Sequence, residues 1–363
     1  MSQCSAGIQR LTLIRFSVTI VTLISFLLLI SSCTYSRLRE IALENADQID
    51  PSIIDDDATD RTQSKILEFV ETIYGGRQTF AGLTGQFARV MVGGQDEVRF
   101  VRPISVGGLD NFLYIVDETP RVVHIYDLEA KEIRSLGNIA VHFVGNPGNI
   151  YVAQDYSFYV VDEGGKQVLH FSQEGDLLTS FHDAANLSRP IDVIVDEFTQ
   201  DVLIADGSYS HIVIFNKTGI AKGIIGKRRG DTAGTFRAIT SISRGAAGLY
   251  VLDRLESPIQ VISMQGRFQF AFGESEQVYP TSIAINLDQL VFVSDKSDNT
   301  IRIYQNRELI DKIGGGGAAP GRFRIITSLW IVGDLLYVAD SGNRRVQVFR
   351  IKQQKYPGTP GVS

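Results

Sequence analysis

Six times along the chain a short apolar run ends in an aspartate. The runs are Tyr114-Ile-Val-Asp117, Tyr159-Val-Val-Asp162, Leu203-Ile-Ala-Asp206, Tyr250-Val-Leu-Asp253, Phe292-Val-Ser-Asp295 and Tyr337-Val-Ala-Asp340. Successive aspartates stand 45, 44, 47, 42 and 45 residues apart. Nine residues after each one a second apolar stretch closes on a large side chain: Tyr126, Phe171, Phe215, Ile262, Tyr304 and Phe349. Between the two stretches lie turn formers, such as Ser341, Gly342 and Asn343 in the last copy. Each copy therefore reads as strand, turn, strand. One hairpin cannot bury its own apolar face, so the copies must pack on one another. Strand-only repeats of this period indicate the blades of a β-propeller.

The other strands of each blade follow from alternation. Inner strands are expected at residues 104–106, 150–152, 191–195, 239–243, 282–285 and 327–331. Fourth strands are expected at 131–136, 176–181, 221–225, 267–272 and 308–313. The sixth copy has none, because the chain after Lys352 is polar and proline-rich. The run Phe87-Ala-Arg-Val-Met-Val92 is expected to supply it, closing the ring and removing two open sheet edges.

The last copy, Asp340-x-x-Asn343-x-Arg345-Val-Gln-Val-Phe349, resembles an NHL repeat, and Gly321-Arg-Phe323 fits the glycine-rich lead-in of that family. At the position of Asn343 the other copies carry Pro120, Gly165, Tyr209, Glu256 and Asp298. The resemblance covers about residues 87–350. It implies an all-β, six-bladed, monomeric propeller, a fold that hosts many activities.

The N-terminus reads as an export signal. Arg10 and Arg15 precede an apolar run over residues 16–30, too short to span a bilayer, and Ser31-Ser32-Cys33 follows. This resembles a bacterial lipobox. The resemblance implies cleavage before Cys33, lipidation of its thiol and, with Thr34 next, an outer-membrane lipoprotein facing the periplasm or the cell surface. The chain then divides into a signal peptide (1–32), an acidic tether (33–61), a short helix and linker (62–86), the propeller (87–350) and a tail (351–363). The helix rests on Ile66, Phe69, Val70, Ile73 and Tyr74, with Gly75-Gly76 as its stop. Cys4 and Cys33 are the only cysteines, so the exported domain has no disulfide, thiol nucleophile or thiolate metal site.

The formal charge is −6, and loss of residues 1–32 lowers it by two, to −8. That argues against a nucleic-acid partner. The six aspartates recur in every copy, as structural turn acceptors do and catalytic groups do not. His124, His142, His170, His182 and His211 show no ligand spacing, and Gly314-Gly-Gly-Gly317 lacks the Lys-Ser/Thr of a phosphate loop. No metal or cofactor is expected. Arg102, Arg189, Arg237 and Arg324 each stand just before an inner strand, near the mouth of a central channel. Four guanidinium groups there suit an anionic ligand; alternatively, they brace the blades. The expected role is a membrane-anchored binding or assembly scaffold for a protein or an anionic polysaccharide. The alternative is a hydrolase or lyase with its site in the channel.

Overall fold

The computed structural model describes residues 64–79, 97–226, 234–255, 258–273 and 279–352. All belong to one compact unit, residues 60–363. The signal segment, Cys33, the acidic tether and the tail beyond Lys352 lie outside the described residues.

The described residues open with three strands, β1 (Leu67–Ile73), β2 (Gly75–Gln78) and β3 (Glu97–Arg99). Six four-stranded units follow. Blade one is β4 (Pro103–Leu109), β5 (Phe112–Asp117), β6 (Val122–Asp127) and β7 (Glu132–Leu136). Blade two is β8 (Pro147–Val152), β9 (Phe158–Asp162), β10 (Gln167–Phe171) and β11 (Leu177–His182). Blade three is β12 (Pro190–Asp196), β13 (Asp201–Asp206), β14 (His211–Phe215) and β15 (Ala221–Ile225). Blade four is β16 (Ile239–Gly245), β17 (Gly248–Asp253), β18 (Ile259–Ile262) and β19 (Phe268–Phe272). Blade five is β20 (Pro280–Ile285), β21 (Val291–Asp295), β22 (Thr300–Gln305) and β23 (Glu308–Gly314). Blade six holds β24 (Ile326–Val332), β25 (Leu335–Asp340) and β26 (Arg345–Ile351), with β1 as its outer strand. The fold is an all-β, six-bladed propeller.

The core is six buried apolar clusters, one at each contact between neighbouring blades. The contact that closes the ring sets Tyr337, Val346 and Val348 of blade six against Leu113, Ile115 and Ile133 of blade one, with Ile73 and Phe100 added. The inner three strands of each blade are therefore covered on both faces, while the outer strands such as β15 and β19 stay largely exposed.

Closure differs from the sequence expectation. Residues 87–92 lie outside the described residues, and the outer place in blade six is held by β1, paired antiparallel with β26 from Leu67↔Ile351 to Ile73↔Val346. The segment expected to be helical is thus a strand. A β-bulge between Phe69 and Glu71 inserts one residue into the period-two pattern, and the shifted apolar positions mimic helical spacing. β-Branched Val70, Thr72 and Ile73 and the open edge of β26 favour the strand. After β1 the chain crosses to blade one, where β2 pairs parallel with β7 and antiparallel with β3. The N-terminal segment also reaches blade five, where Ser64 Oγ donates to Asp311 Oδ2 at 2.6 Å.

Candidate functional site

All six inner strands begin at the same face, here called upper, opposite the strand-end aspartates (Pro103↔Asp117, Pro147↔Asp162, Pro190↔Asp206, Ile239↔Asp253, Pro280↔Asp295, Ile326↔Asp340). These aspartates are fully buried. Each accepts backbone N–H groups from the lead-in to its own blade, as Asp117 does from Val101 (2.7 Å) and Arg102 (2.6 Å). Asp206 takes four, from Ser188, Arg189, Ser208 and Tyr209. They are turn fasteners, as their recurrence implies. Burial raises the Asp117 carboxyl, but His124 and the Val101 and Arg102 amides more than offset this and hold it below the usual range.

The innermost strands present unpaired edges to the channel, and bare edge amides need partners. Two residues into each inner strand stands a small polar side chain: Ser105, Asn149, Asp192, Ser241, Ser282 or Ser328. In four blades its oxygen accepts the N–H of the next blade. Ser105 takes Ile150 (3.2 Å), Asp192 takes Ile242 (2.9 Å), Ser282 takes Leu329 (3.0 Å) and Ser328 takes Val106 (3.2 Å), which closes the belt. This belt lines a cavity of about 190 Å³. Asp192 is its one carboxylate. Burial pushes it up to about 6, against hydrogen bonds from Ile242 N–H, Ser241 Oγ, Val193 N–H and Asn149. The sequence carried this signal, a polar residue at one register of every repeat, but only the edge geometry gives it meaning.

Two residues further down, the lower mouth is ringed by Gly107, Tyr151, Ile194, Ser243, Ala284 and Trp330. With no side chain on Gly107, Tyr151 and Trp330 meet across blade one, ring centroids 5.6 Å apart and edge to face. Trp330 Nε1 donates to Gly108 O at 2.8 Å, and Tyr151 Oη to Glu197 Oε1 at 2.8 Å.

The four candidate arginines share the upper face and are exposed. Arg102 pairs with Glu118 at 2.7 Å. The Arg189 guanidinium covers Gly207, where a Cβ would lie 2.4 Å from Nη2, and the Arg324 stem covers Gly342. These three lie over the aspartate turns of their own blades. Arg237 O accepts Ser210 Oγ of the preceding blade at 2.7 Å. Two cations that sequence reasoning missed stand beside them. Arg254 lies 4.6 Å from the Tyr279 ring centroid and Lys296 lies 5.8 Å from it. Arg254 Nε is buried with no hydrogen-bond partner among the described residues. An upper cavity of about 640 Å³, lined by Glu118, Asn146, Glu163 and Ile191, meets the channel at Asn149.

The histidines do not converge. His124 Nδ1 bonds Ser135, His170 Nε2 bonds Ser157 while its ring stacks on Tyr159, and His211 Nε2 donates to Asn186 O. Among the described residues no three His, Cys, Asp or Glu side chains are grouped to hold a metal.

No protein-family model matches the chain, nor does any curated sequence. Among solved structures it is similar to virginiamycin B lyase from Staphylococcus aureus, with a TM-score of 0.51 at 10% identity over 69% of this chain and 95% of that one. A streptogramin B lyase gives a TM-score of 0.51 at 9% identity, over 69% and 93%. At these identities the likeness is one of fold.

Proposed function

We propose that the chain is a membrane-tethered, extracytoplasmic binding module of the NHL type, whose upper face takes an anionic protein or polysaccharide. The observation that carries this reading is the group at blades four and five. Tyr279 is flanked by Arg254 and Lys296, neither of which forms an ion pair among the described residues. Leu255, next in the chain to Arg254, is 60% exposed, and Ile325, in the lead-in to blade six on the same face, is 37% exposed. Arg and Tyr next to exposed aliphatics are what binding surfaces concentrate. An unsatisfied buried guanidinium N–H favours an acceptor-rich ligand. Arg102, Arg189, Arg237 and Arg324 extend the positive field around the same mouth. The chain comes into the domain at Leu67, paired with Ile351 beside the lower turn of blade six, away from this face.

The alternative, an enzyme using the channel, draws on Asp192, a buried acid of raised pKa in a cavity. Its oxygens already serve four donors, so we favour binding. Retention of the protein on poly-glutamate and on a sulfated polysaccharide tests this. Wild type is expected to be retained and to elute as salt rises. Arg254→Gln with Lys296→Gln should elute about tenfold more weakly at equal thermal stability, a loss of about 1.4 kcal/mol. Absence of wild-type retention on either matrix would overturn the reading.

A further inference from the structure

Two large apolar side chains stand almost wholly in solvent at the lower face. Phe198, in the turn between β12 and β13, is 93% exposed, and Leu287, in the turn between β20 and β21, is 98% exposed. Neither turn is loose. Each is clasped by a glutamine in the left-handed region, Gln200 (φ 60°) and Gln289 (φ 60°). Gln200 Nε2 donates to Glu197 O at 2.9 Å, and Gln289 Nε2 to Leu287 O at 3.3 Å. Asp196 Oδ1 accepts the Phe198 N–H at 3.0 Å, and Asn286 Oδ1 the Leu290 N–H at 2.8 Å. Gln289 Oε1 accepts the N–H of exposed Ala246 at 2.9 Å, which ties the blade-five turn to that of blade four. Three neighbouring blades thus hold fixed apolar tips at one face.

Single exposed apolar residues are ordinary on a protein surface, whereas a held set on one face marks a contact. Three features identify the occupant. The tips stand at the ends of separate hairpins, so a protein partner would need a separate pocket for each. The interfacial layer of a bilayer takes protruding apolar groups at any spacing. Exposed Lys217, Arg267 and Arg307 stand in the outer lower turns of the same three blades, where lipid phosphates would meet them. The described chain also begins on this side, with Ile66 O accepting the Lys352 N–H (2.8 Å) and Ile351 N–H donating to Asp334 O (2.7 Å) in the lower turn of blade six. Acids of this face are largely committed: Asp110 to Tyr156 Oη, Asp155 to Ser157 Oγ and Glu197 to Tyr151 Oη. Asp288 is exposed beside Leu287, so the surface suits zwitterionic lipid better than strongly anionic lipid.

We infer that the lower face seats on a lipid bilayer, with Phe198 and Leu287 entering its interfacial layer. The upper mouth then points away from the membrane. This rests on the tethered reading above, because two apolar side chains are too few to hold a free protein on lipid. They act at the high effective concentration that a tether supplies.

From Cys33 to Ser363 the chain has one cysteine, so Cys33 can be coupled to a maleimide lipid in phosphatidylcholine–phosphatidylethanolamine vesicles. A nitroxide-bearing lipid serves as quencher. Phe198→Trp and Leu287→Trp are compared with Thr119→Trp at the upper face, after subtraction of the signal of Trp330, the only native tryptophan. The two lower tryptophans should lose about half their intensity and the upper one almost none, as expected of groups inside and outside the interfacial layer. Equal quenching at both faces, or none at the lower tips of folded protein, overturns the inference. Tryptophan itself favours interfaces, so the native side chains are checked as well. Phe198→Asp with Leu287→Asp should keep the melting temperature and lose the quenching of Trp330, which lies at the same face. A variant quenched like wild type overturns the inference. So do dimers of the uncoupled wild type that the double variant abolishes, which would mark an interface between copies. Chemical coupling separates this test from the tether: failure here beside a lipidated native Cys33 removes the docking face alone.

Discussion

Arg345 shows how much of this protein is settled by single side chains. Its guanidinium is buried and meets Asp340 Oδ2 (2.8 Å) and the carbonyls of Ala318, Ala319 and Arg322. Asn343 Nδ2 donates to Asp340 Oδ2 and to Gly317 O, and Gln347 holds Arg322 O and Gly321 N–H. The motif that stands out in the sequence is therefore a latch on the glycine-rich loop before blade six. The other blades fasten the same aspartate with other residues, Gln167 on Asp162 and Arg302 on Asp295. Asp192 is the residue whose chemistry is most exposed to a change of conditions. Its folded pKa, about 6, lies above its ordinary value of 3.8. Folding therefore takes up a proton between those values, and stability falls as pH rises from about 4 to about 6, then stays level. The full loss is on the order of 3 kcal/mol. His170, held low by burial, acts in the opposite sense, losing stability as pH falls below about 6.5. The informative quantity is thus the difference between Asp192→Asn and wild type. The variant should gain on wild type in melting temperature from pH 4 to pH 6 and hold that gain above it. A difference that stays flat across this range would show that Asp192 does not titrate there.

Among the elements, β1 has the least local reason to exist and the most structural consequence. It covers the edge of β26, buries Leu67 and Ile73, and joins blade six to blade one through Lys131–Glu71 (2.5 Å) and, by way of β2, Arg77–Glu132 (2.6 Å). Removing residues 1–62 should leave the propeller's stability unchanged. Removing residues 1–74 should cost at least about 4 kcal/mol, from two buried aliphatic side chains at about 2 kcal/mol each together with a newly bare strand edge. Urea unfolding of the two truncations decides it, and equal midpoints would show that β1 is dispensable. The same element marks where the sequence stopped being legible. Blade strands were readable because each repeat fixes its own hairpins: Asp117 and Tyr126, or Asp340 and Phe349, are set by contacts within a few residues. The closing strand pairs Leu67 with Ile351, a partner nearly the whole chain away, and its bulge at Phe69 erased the alternation that would have revealed it. The belt from Ser105 to Ser328 was visible as a pattern and opaque as a function. Its role appears only when six segments far apart in the chain share one axis. Arg254 and Lys296 carried no signal at all, since their place beside Tyr279 follows from the turn geometry of two blades.

At the scale of the whole molecule, the ring explains how a domain without cysteine holds together. Six interfaces of similar make-up close on themselves, so no blade has a free face, and the contact between blades six and one is as apolar as the others. A large sheet core does the work that disulfides do in small exported domains. The remaining question at this scale is where the ring is held. The stretch from Arg10 to Cys33 has the order of an export signal: basic residues, an apolar run shorter than a bilayer, then Ser-Ser-Cys. Lipid attached at Cys33 would fix the chain to a membrane surface while leaving about thirty residues before β1, enough for an acidic linker to span tens of ångströms. Mass spectrometry of the protein recovered from a bacterial membrane fraction tests this directly. The expected mature chain begins at Cys33 and carries the added mass of a diacylglyceryl group. Cys33→Ser should either keep the signal uncleaved or appear in the soluble extracytoplasmic fraction. A wild-type chain that retains Met1, or one that begins at Cys33 without lipid, would sink the anchoring proposal and leave the upper face to act free of any membrane.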